Sequence, residues 1–140
     1  KREQQILARR AELIEQFKAA DRLIIAMPMH NFTVTSRLKD YLDNIIMGGQ
    51  TFQFSENGPQ GLMGGHKALL VQSSGSVYST GPLAPWEQSY PFLQTAFGML
   101  GFDSTDIVRA EGTMDPNIGP DVAVERACAE LEQKLPEFLA

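Results

Sequence analysis

The pattern of apolar and polar positions begins with a helix and a short strand. Apolar residues recur every three to four positions over residues 3–19, which predicts an amphipathic helix. Residues Leu23–Met27 are almost continuously apolar, as in a strand that is covered on both faces. Pro28 should end this strand, because proline cannot donate to a β-ladder.

A second helix and an unusual connection follow. Thr35 or Ser36 can cap a helix that Gly48-Gly49 would end. Its apolar stripe follows the helical spacing closely and comprises Leu38, Tyr41, Leu42, Ile45 and Ile46. The next segment, Gln50–Gly65, mixes alternating residues with turn chemistry and is long for a loop. Segments of this kind are usually functional or pack at an interface.

The second half of the chain continues the alternation of strands and helices. Its predicted elements are a strand at Lys67–Gln72, a loop at Ser73–Ser76, a helix from Pro85 closed by Gly101, a strand at Ile107–Ala110, a loop at Glu111–Pro120, and a helix over 121–135 disturbed by Pro136. Pro91 would lie in a first turn or at a kink, so the third helix can be in two pieces. Its inward residues are predicted to be Trp86, Leu93, Phe97 and Leu100.

This alternation predicts one α/β domain over residues 1–140, with a doubly wound parallel sheet and right-handed crossovers. Only about three strands are visible, and Leu23–Met27 has no obvious neighbour on one side. We therefore expect that about 50–60 residues of strand and helix are absent at the N-terminus, ahead of the first helix.

The composition of the chain argues against several classes of function. The net charge of -5 and the pI near 5.0 argue against nucleic-acid binding, which needs a basic surface. No apolar run reaches the roughly 18 residues of a membrane span. The single cysteine, Cys128, excludes an internal disulfide and fits a reducing cytoplasm. It falls in an apolar helical pattern with Val124, Leu131 and Leu135, which predicts a buried side chain.

Two loops stand where open α/β sheets bind ligands, at the carboxyl ends of parallel strands. One is Met29–Phe32, directly after Pro28, and the other is Ser73–Ser76. Asn31 offers amide donors and acceptors for a planar cofactor, or it simply caps its loop. Phe32 and Met29 could face a ring or pack in the core. The small residues of the second loop allow the backbone to come close to a ring.

Neither histidine completes a metal or acid–base site. His30 is a candidate proton donor to a substrate, although a lone histidine is more often a surface or packing residue. His66 precedes a strand and is expected to be structural or exposed. No further ligands stand at a spacing that suits a metal, so none is predicted.

Several stretches together resemble the FMN-dependent NADH-azoreductases. Met27–Phe32 followed by Leu38–Asp43 is similar to the loop and helix of that family. Further similarities, in the same order along nearly the whole chain, are Thr51–Leu62, Lys67-Ala68 leading to Ser73–Ser76, and Leu100–Phe102 leading to Ala110–Gly112.

The resemblance implies a flavodoxin-like fold, a homodimer, non-covalent FMN, NADH as donor, and quinones or azo compounds as acceptors. It implies two-electron, ping-pong hydride transfer through the flavin, with no catalytic side chain other than the candidate His30. The implied cofactor-binding residues are Pro28, Met29, His30, Asn31, Phe32, Ser73, Ser74, Gly75, Ser76 and Tyr78. The implied substrate pocket is formed by Phe32, Phe52 and Phe54. The last two either reach over a neighbouring subunit's flavin or only pack in a dimer contact.

The chain also departs from the family pattern. His30 replaces a tyrosine, Ser74 and Ser76 replace an arginine and a glycine, and Tyr78 replaces a histidine. The family's first strand and serine-rich phosphate loop have no counterpart. Two alternatives therefore stay open: an electron-transfer flavodoxin that docks on proteins, and a truncated, inactive module that binds FMN poorly on its own.

Overall fold

The chain alternates helices and strands as the apolar pattern predicts. The structure is a computed structural model that describes residues 1–140. Its elements are α1 (Arg2–Ala19), β1 (Arg22–Pro28), α2 (Ser36–Ile45), β2 (Phe52–Ser55), β3 (Gly58–Gly61), β4 (Lys67–Ser74), a 3₁₀ turn (Ala84–Trp86), α3 (Ser89–Leu100), β5 (Ser104–Glu111) and α4 (Gly119–Leu139). No helix combines the length and apolarity that a membrane span requires.

The main sheet is parallel and has three strands in the order β1-β4-β5. Its register places Ile25 beside Leu70 and Leu70 beside Ile107. The predicted three-stranded parallel sheet of a flavodoxin-like fold is thus confirmed. The segment Gln50–Gly65 contains a separate antiparallel hairpin, β2–β3.

The two faces of the sheet have different covers. The face covered by α1, α2 and α3 holds the larger core, whose fully buried members include Leu42, Ile45, Leu70, Leu93, Phe97 and Leu100. The other face packs Leu69 and Val108 against Ala127 and Phe138 of α4. Because α4 lies over β5 and β4, it leaves Ile24 of β1 54% exposed. Within these 140 residues β1 is therefore covered on one face only, and not on both as expected.

Side-chain caps define both ends of α2. The Thr35 hydroxyl accepts a hydrogen bond from the backbone N–H of Leu38 at 3.3 Å, which confirms Thr35 as the N-cap. The helix ends at Ile45 rather than at Gly48-Gly49. The Thr51 hydroxyl causes this early end, since it donates to the Ile45 carbonyl at 2.7 Å and accepts from the Met47 N–H at 3.0 Å.

The last helix differs from its prediction in length and in the face that it buries. It continues through Pro136 to Leu139, because a proline so near the C-terminus removes only one bond while the buried Phe138 anchors the end. Cys128 is exposed and Val124 is 53% exposed. The prediction that Cys128 is buried is therefore wrong, because Ala123 and Ala127 form the stripe against the sheet.

The segment before α3 also corrects one prediction. The helix is in two pieces, as expected, and Pro91 lies in the first turn of α3. Trp86, however, is 54% exposed rather than directed inward. Glu87 is the buried residue here, and its carboxylate caps α3 by accepting from the N–H groups of Ser89 at 2.8 Å and Tyr90 at 3.1 Å.

Side chains from α3, α4 and β5 itself bind the backbone along the outer edge of β5. On β5, the Thr105 carbonyl accepts from the Tyr90 hydroxyl at 2.9 Å, and the Ile107 carbonyl accepts from Lys134 at 2.8 Å. The Asp106 carboxylate accepts from the Ile107 N–H at 2.7 Å. Side chains therefore cap the β5 edge, which prevents further pairing.

Candidate functional site

The two predicted loops meet in one cleft. Parallel pairing places Pro28 beside Ser73, and the Met29 N–H continues the ladder by donating to the Ser73 carbonyl at 2.8 Å. The cleft beyond this point has a volume of about 230 Å³ and is lined by Met29, Asn31, Phe32, Ser74, Gly75 and Tyr78. The structure thus brings together residues from both loops at the carboxyl end of the sheet.

The first loop is a tight turn with a strained backbone. The N–H of His30 donates to the Thr33 carbonyl at 3.0 Å, and the N–H of Thr33 donates to the His30 carbonyl at 3.2 Å. Between them, Asn31 has a φ of 47° and Phe32 a φ of 72°. Asparagine tolerates this left-handed region, but phenylalanine does so at a cost of about 1–2 kcal/mol. Strain of this kind concentrates at ligand and catalytic sites.

Several contacts hold Phe32 in this conformation. Its carbonyl accepts from the Gln88 N–H at 2.8 Å. Its ring meets Trp86 edge-on at 5.4 Å and Tyr78 at 6.3 Å between centroids. The ring remains 43% exposed, so it forms one wall of the cleft. Sequence reasoning missed the role of Trp86, because its place in an apolar pattern suggested the core.

The second loop is shorter than predicted. Ser73 and Ser74 belong to β4, so the loop proper begins at Gly75. The Ser74 hydroxyl donates to the Ser76 carbonyl at 2.8 Å and so closes a small turn around Gly75. A Cβ atom on Gly75 would lie 3.0 Å from the sulfur of Met114. The segment after β5 therefore covers this loop, which no local pattern in the sequence indicated.

Glu111 fixes the position of Tyr78. Its carboxylate accepts from the backbone N–H groups of Tyr78 at 2.8 Å and Ser79 at 3.0 Å, and also from the Ser79 hydroxyl. Three donors to one carboxylate make a rigid anchor. Glu111 is a supporting residue that the sequence did not reveal, since it is 33 positions from Tyr78.

Four of the predicted cofactor residues do not line this cleft. Pro28 and Ser73 are paired within the sheet, and Ser76 is exposed beyond the turn. His30 lies in a neighbouring open cleft of about 370 Å³, on the other side of the turn, together with Asn31, Thr33, Val34, Ser36, Lys39 and Phe92. Asn31 is the residue that both clefts share.

The predicted substrate pocket is not assembled within one chain. Phe32 lies near the start of α3, whereas the hairpin of Phe52 and Phe54 packs at its end, where Gly61 abuts Leu100. The 12 residues of α3 separate the two places by about 18 Å. Phe52 and Phe54 contact each other at 5.4 Å, and Phe54 is 79% exposed.

The groups with a displaced pKa lie outside the cleft, at the β5 edge. Burial acts to raise the pKa of Asp106, but hydrogen bonds from Lys134 at 2.8 Å and from the Ile107 N–H outweigh it and hold that pKa below its usual value. The pKa of Lys134 is raised, because bonds to Asp106 and Glu130 outweigh the lowering effect of burial. This ion cluster stabilises the fold and takes no part in the cleft.

The cleft has free polar groups as well as apolar walls. The backbone N–H groups of Asn31, Phe32 and Gly75 make no hydrogen bond within the chain. Together with the Asn31 amide, these donors suit the carbonyl and nitrogen rim of a planar heterocycle, and Phe32 and Tyr78 suit its faces. No lysine or arginine lines the cleft. The residues present therefore fit the ring end of FMN and offer nothing specific for its phosphate.

Comparison with known proteins assigns the family. Residues 1–135 match the family described as "Flavodoxin-like fold". A relative named FMN-dependent NADH:quinone oxidoreductase 1, from Lactiplantibacillus plantarum, is 40% identical over 139 residues, which cover 97% of this chain and 65% of the relative. Its namesake from Bacillus cereus is 41% identical over 119 residues, covering 82% of this chain and 56% of the relative.

A solved structure gives the same assignment. The FMN-dependent NADH-azoreductase from Bacillus anthracis, crystallised in complex with FMN, matches with a TM-score of 0.92 and 34% identity, covering 100% of this chain and 66% of that one. The chain spans 56% to 65% of the length of the two curated relatives described above. The resemblance seen in the sequence is thus confirmed, and the chain belongs to the flavodoxin-like family that includes the FMN-dependent NADH:quinone oxidoreductases and azoreductases.

Proposed function

We propose that this protein is an FMN-dependent NADH oxidoreductase that reduces quinones and azo compounds by two-electron, ping-pong transfer. The observation that carries the proposal is the cleft at the ends of β1 and β4, with its free N–H groups and aromatic wall. Relatives at about 40% identity carry the quinone oxidoreductase name. The single exposed cysteine agrees with a reducing cytoplasm.

Each cleft residue has a proposed task. The Asn31 amide and the N–H groups of Asn31 and Gly75 bind the polar rim of the flavin ring, while Phe32 and Tyr78 hold its faces. FMN, when bound, supplies the hydride acceptor and the two-electron chemistry. The chain needs no nucleophile of its own. Donor and acceptor would occupy this open cleft in turn, which is the basis of a ping-pong order.

The remaining predicted residues act around the cleft. Pro28 and Ser73 set the spacing of the two loops through their pairing at the strand ends. Met29, Ser74 and Ser76 shape the backbone that approaches the ring. His30 lines the neighbouring cleft, on the far side of the turn, and is a candidate proton donor to a substrate that extends into it.

A homodimer would complete the substrate pocket. Phe52 and Phe54 stand about 18 Å from their own cleft along α3, and Phe54 is 79% exposed although it is large and apolar. Exposed aromatic residues of this kind mark binding surfaces. We propose that this hairpin reaches the cleft of a second copy.

The phosphate of FMN needs a holder that these 140 residues do not offer in the cleft. Phosphates are commonly bound by N–H groups at a helix N-terminus together with basic side chains. We therefore propose that the 140-residue chain alone binds FMN poorly. A flavin fluorescence titration measures this directly, and tight binding by the 140-residue chain would refute it.

The deciding assay is steady-state oxidation of NADH with menadione by the flavin-loaded protein at its natural length. We expect turnover that depends on FMN and falls when Asn31 is replaced by alanine. Absence of turnover with menadione, in a preparation that still exchanges electrons with a redox protein, would favour the electron-transfer flavodoxin instead.

A further inference from the structure

An open cavity larger than either cleft lies away from the cofactor cleft, along the outer edge of β5. It has a volume of about 460 Å³ and is bounded by the loop 77–80 on one side and by α4 on the other. The lining includes two arginines, Arg109 and Arg126, and two glutamates, Glu111 and Glu130. These four charged groups decide what the cavity can bind.

Both glutamates already have hydrogen-bond or ion-pair partners other than the two arginines. Glu111 accepts from the backbone N–H groups of Tyr78 and Ser79 and from the Ser79 hydroxyl. Glu130 forms an ion pair with Lys134 at 3.1 Å, one helical turn further along α4. Neither glutamate therefore forms an ion pair with an arginine of this cavity, and the guanidinium donors stay unused by them.

Both arginines lack an anionic partner. Neither Arg109 nor Arg126 has a carboxylate oxygen within 4.0 Å. The Nε–H of Arg109 is buried and makes no hydrogen bond. A buried donor without a partner is costly, and more so when it carries charge.

The Arg109 guanidinium is also held in place. Its central carbon lies 5.5 Å from the centroid of the Tyr90 ring, within the range of a cation–π contact. A guanidinium that is fixed on an aromatic face, with an unused Nε–H, is pre-organised for an oxyanion. Arg126 is exposed on α4 and can turn toward the same ligand.

We propose that this cavity is an oxyanion site that binds the phosphate groups of a ligand between Arg109 and Arg126. Phosphate oxygens would accept charge-assisted hydrogen bonds from the two guanidinium groups, which make no ion pair within the chain. The phosphate could belong to a nicotinamide dinucleotide, the proposed donor, or to a free phosphate compound. The chemistry of recognition is the same for both sources.

The primary test is a titration of inorganic pyrophosphate into the ¹⁵N-labelled protein at its natural length, followed through the Arg109 Nε–H resonance. We expect this resonance to shift on binding. Arg126→Gln and Arg109→Gln should each weaken binding by about tenfold or more, since each removes charged hydrogen bonds. Arg109→Lys keeps the charge but loses the planar set of guanidinium N–H donors, and should bind pyrophosphate with intermediate affinity.

Arg2→Gln is the matched control, because Arg2 is an exposed arginine on α1 and forms no ion pair. This control should leave pyrophosphate affinity unchanged. Arg126 is exposed, so Arg126→Gln tests the site even if Arg109→Gln does not fold. An unmoved Nε–H resonance, or equal affinity in the parent and in Arg126→Gln, overturns the proposal.

A second arm distinguishes the sources of the phosphate. If the dinucleotide is the ligand, pyrophosphate competes with NADH and Arg126→Gln raises the KM for NADH while kcat stays the same. If pyrophosphate binds without competing with NADH, a free phosphate compound is the ligand. Failure of the parent protein to oxidise NADH would contradict the proposed function, and the pyrophosphate titration would still decide the oxyanion site.

Discussion

Phe32 combines backbone strain with exposure, and both properties concern the cofactor cleft. Its φ of 72° is unfavourable for an aromatic residue, and its ring stays 43% exposed between Trp86 and Tyr78. A side chain that served only stability would be better placed in an ordinary conformation. Strain of this kind is typical of ligand sites, which supports the proposal that the ring or its backbone meets the flavin.

Replacing Phe32 with glycine separates stability from binding. Relief of about 1–2 kcal/mol of strain should offset the loss of a partly exposed ring, so the free energy of unfolding should change by less than about 1 kcal/mol. Flavin affinity of the natural-length protein should nevertheless fall. Urea unfolding and a flavin titration measure the two quantities. Unchanged flavin affinity would show that Phe32 does not hold the cofactor.

Gly61 illustrates a residue that is fixed by packing alone. A Cβ atom at this position would lie 2.1 Å from the backbone carbon of Leu100, so the hairpin and α3 would have to separate. We expect Gly61→Ala to lower the free energy of unfolding by about 3 kcal/mol. In Gly64→Ala the new atom would have nothing within 4 Å, and the change should stay within about 0.5 kcal/mol. Equal urea midpoints for the two variants would contradict this packing.

At the scale of the elements, β5 and its neighbours form the protected end of the sheet. Tyr90 and Lys134 donate to the edge carbonyls from α3 and α4, and Asp106 accepts the edge N–H of Ile107. No side chain makes a comparable hydrogen bond to the backbone of β1, and Ile24 within this strand is exposed. Further pairing is therefore blocked at the β5 edge and open at the β1 edge.

The Asp106–Lys134 pair gives the protein a specific acid sensitivity. Because the pKa of Asp106 is lowered in the folded state, its contribution is present above the unfolded pKa of about 3.9 and is lost as the pH falls through the folded value. Asp106→Asn should therefore lose less stability than the parent on acidification below about pH 5. The side chain is 47% exposed, so screening limits the effect to less than about 1 kcal/mol.

Urea unfolding of both proteins at neutral pH and near pH 3 measures this difference. Asparagine can still accept the Ile107 N–H, so the substitution removes the charge and keeps the edge cap. An identical loss of stability in parent and variant would show that the pair does not couple to folding.

For the whole molecule, the main prediction is a cleft shared between two copies. A variant defective in the cleft, Asn31→Ala, and a variant defective in the hairpin, Phe54→Ala, should each have low activity. When the two are co-expressed, the mixed dimer contains one intact site, so activity with NADH and menadione should partly return. Activity that stays at the average of the two variants would show that Phe54 does not serve a neighbouring cleft.

Boundaries and burial were the features that sequence patterns predicted least well. Helix α2 ends early because the Thr51 hydroxyl, six residues away, takes the Ile45 carbonyl. Cys128 is exposed because the orientation of α4 on the sheet is set by Ala123, Ala127 and Phe138. Such choices depend on which neighbour packs where, and apolar periodicity alone does not contain that information.

The sequence by itself determined the α/β order, the parallel sheet and the two loops at the strand ends. These follow from local properties: the helical period, continuous apolar strands, and turn residues that interrupt them. Only the tertiary structure decided that Glu111 anchors Tyr78, that Met114 covers Gly75, and that Phe54 stands away from its own cleft. Those relations join residues that are distant in the chain, and they exist only once the sheet has set the distances between its loops.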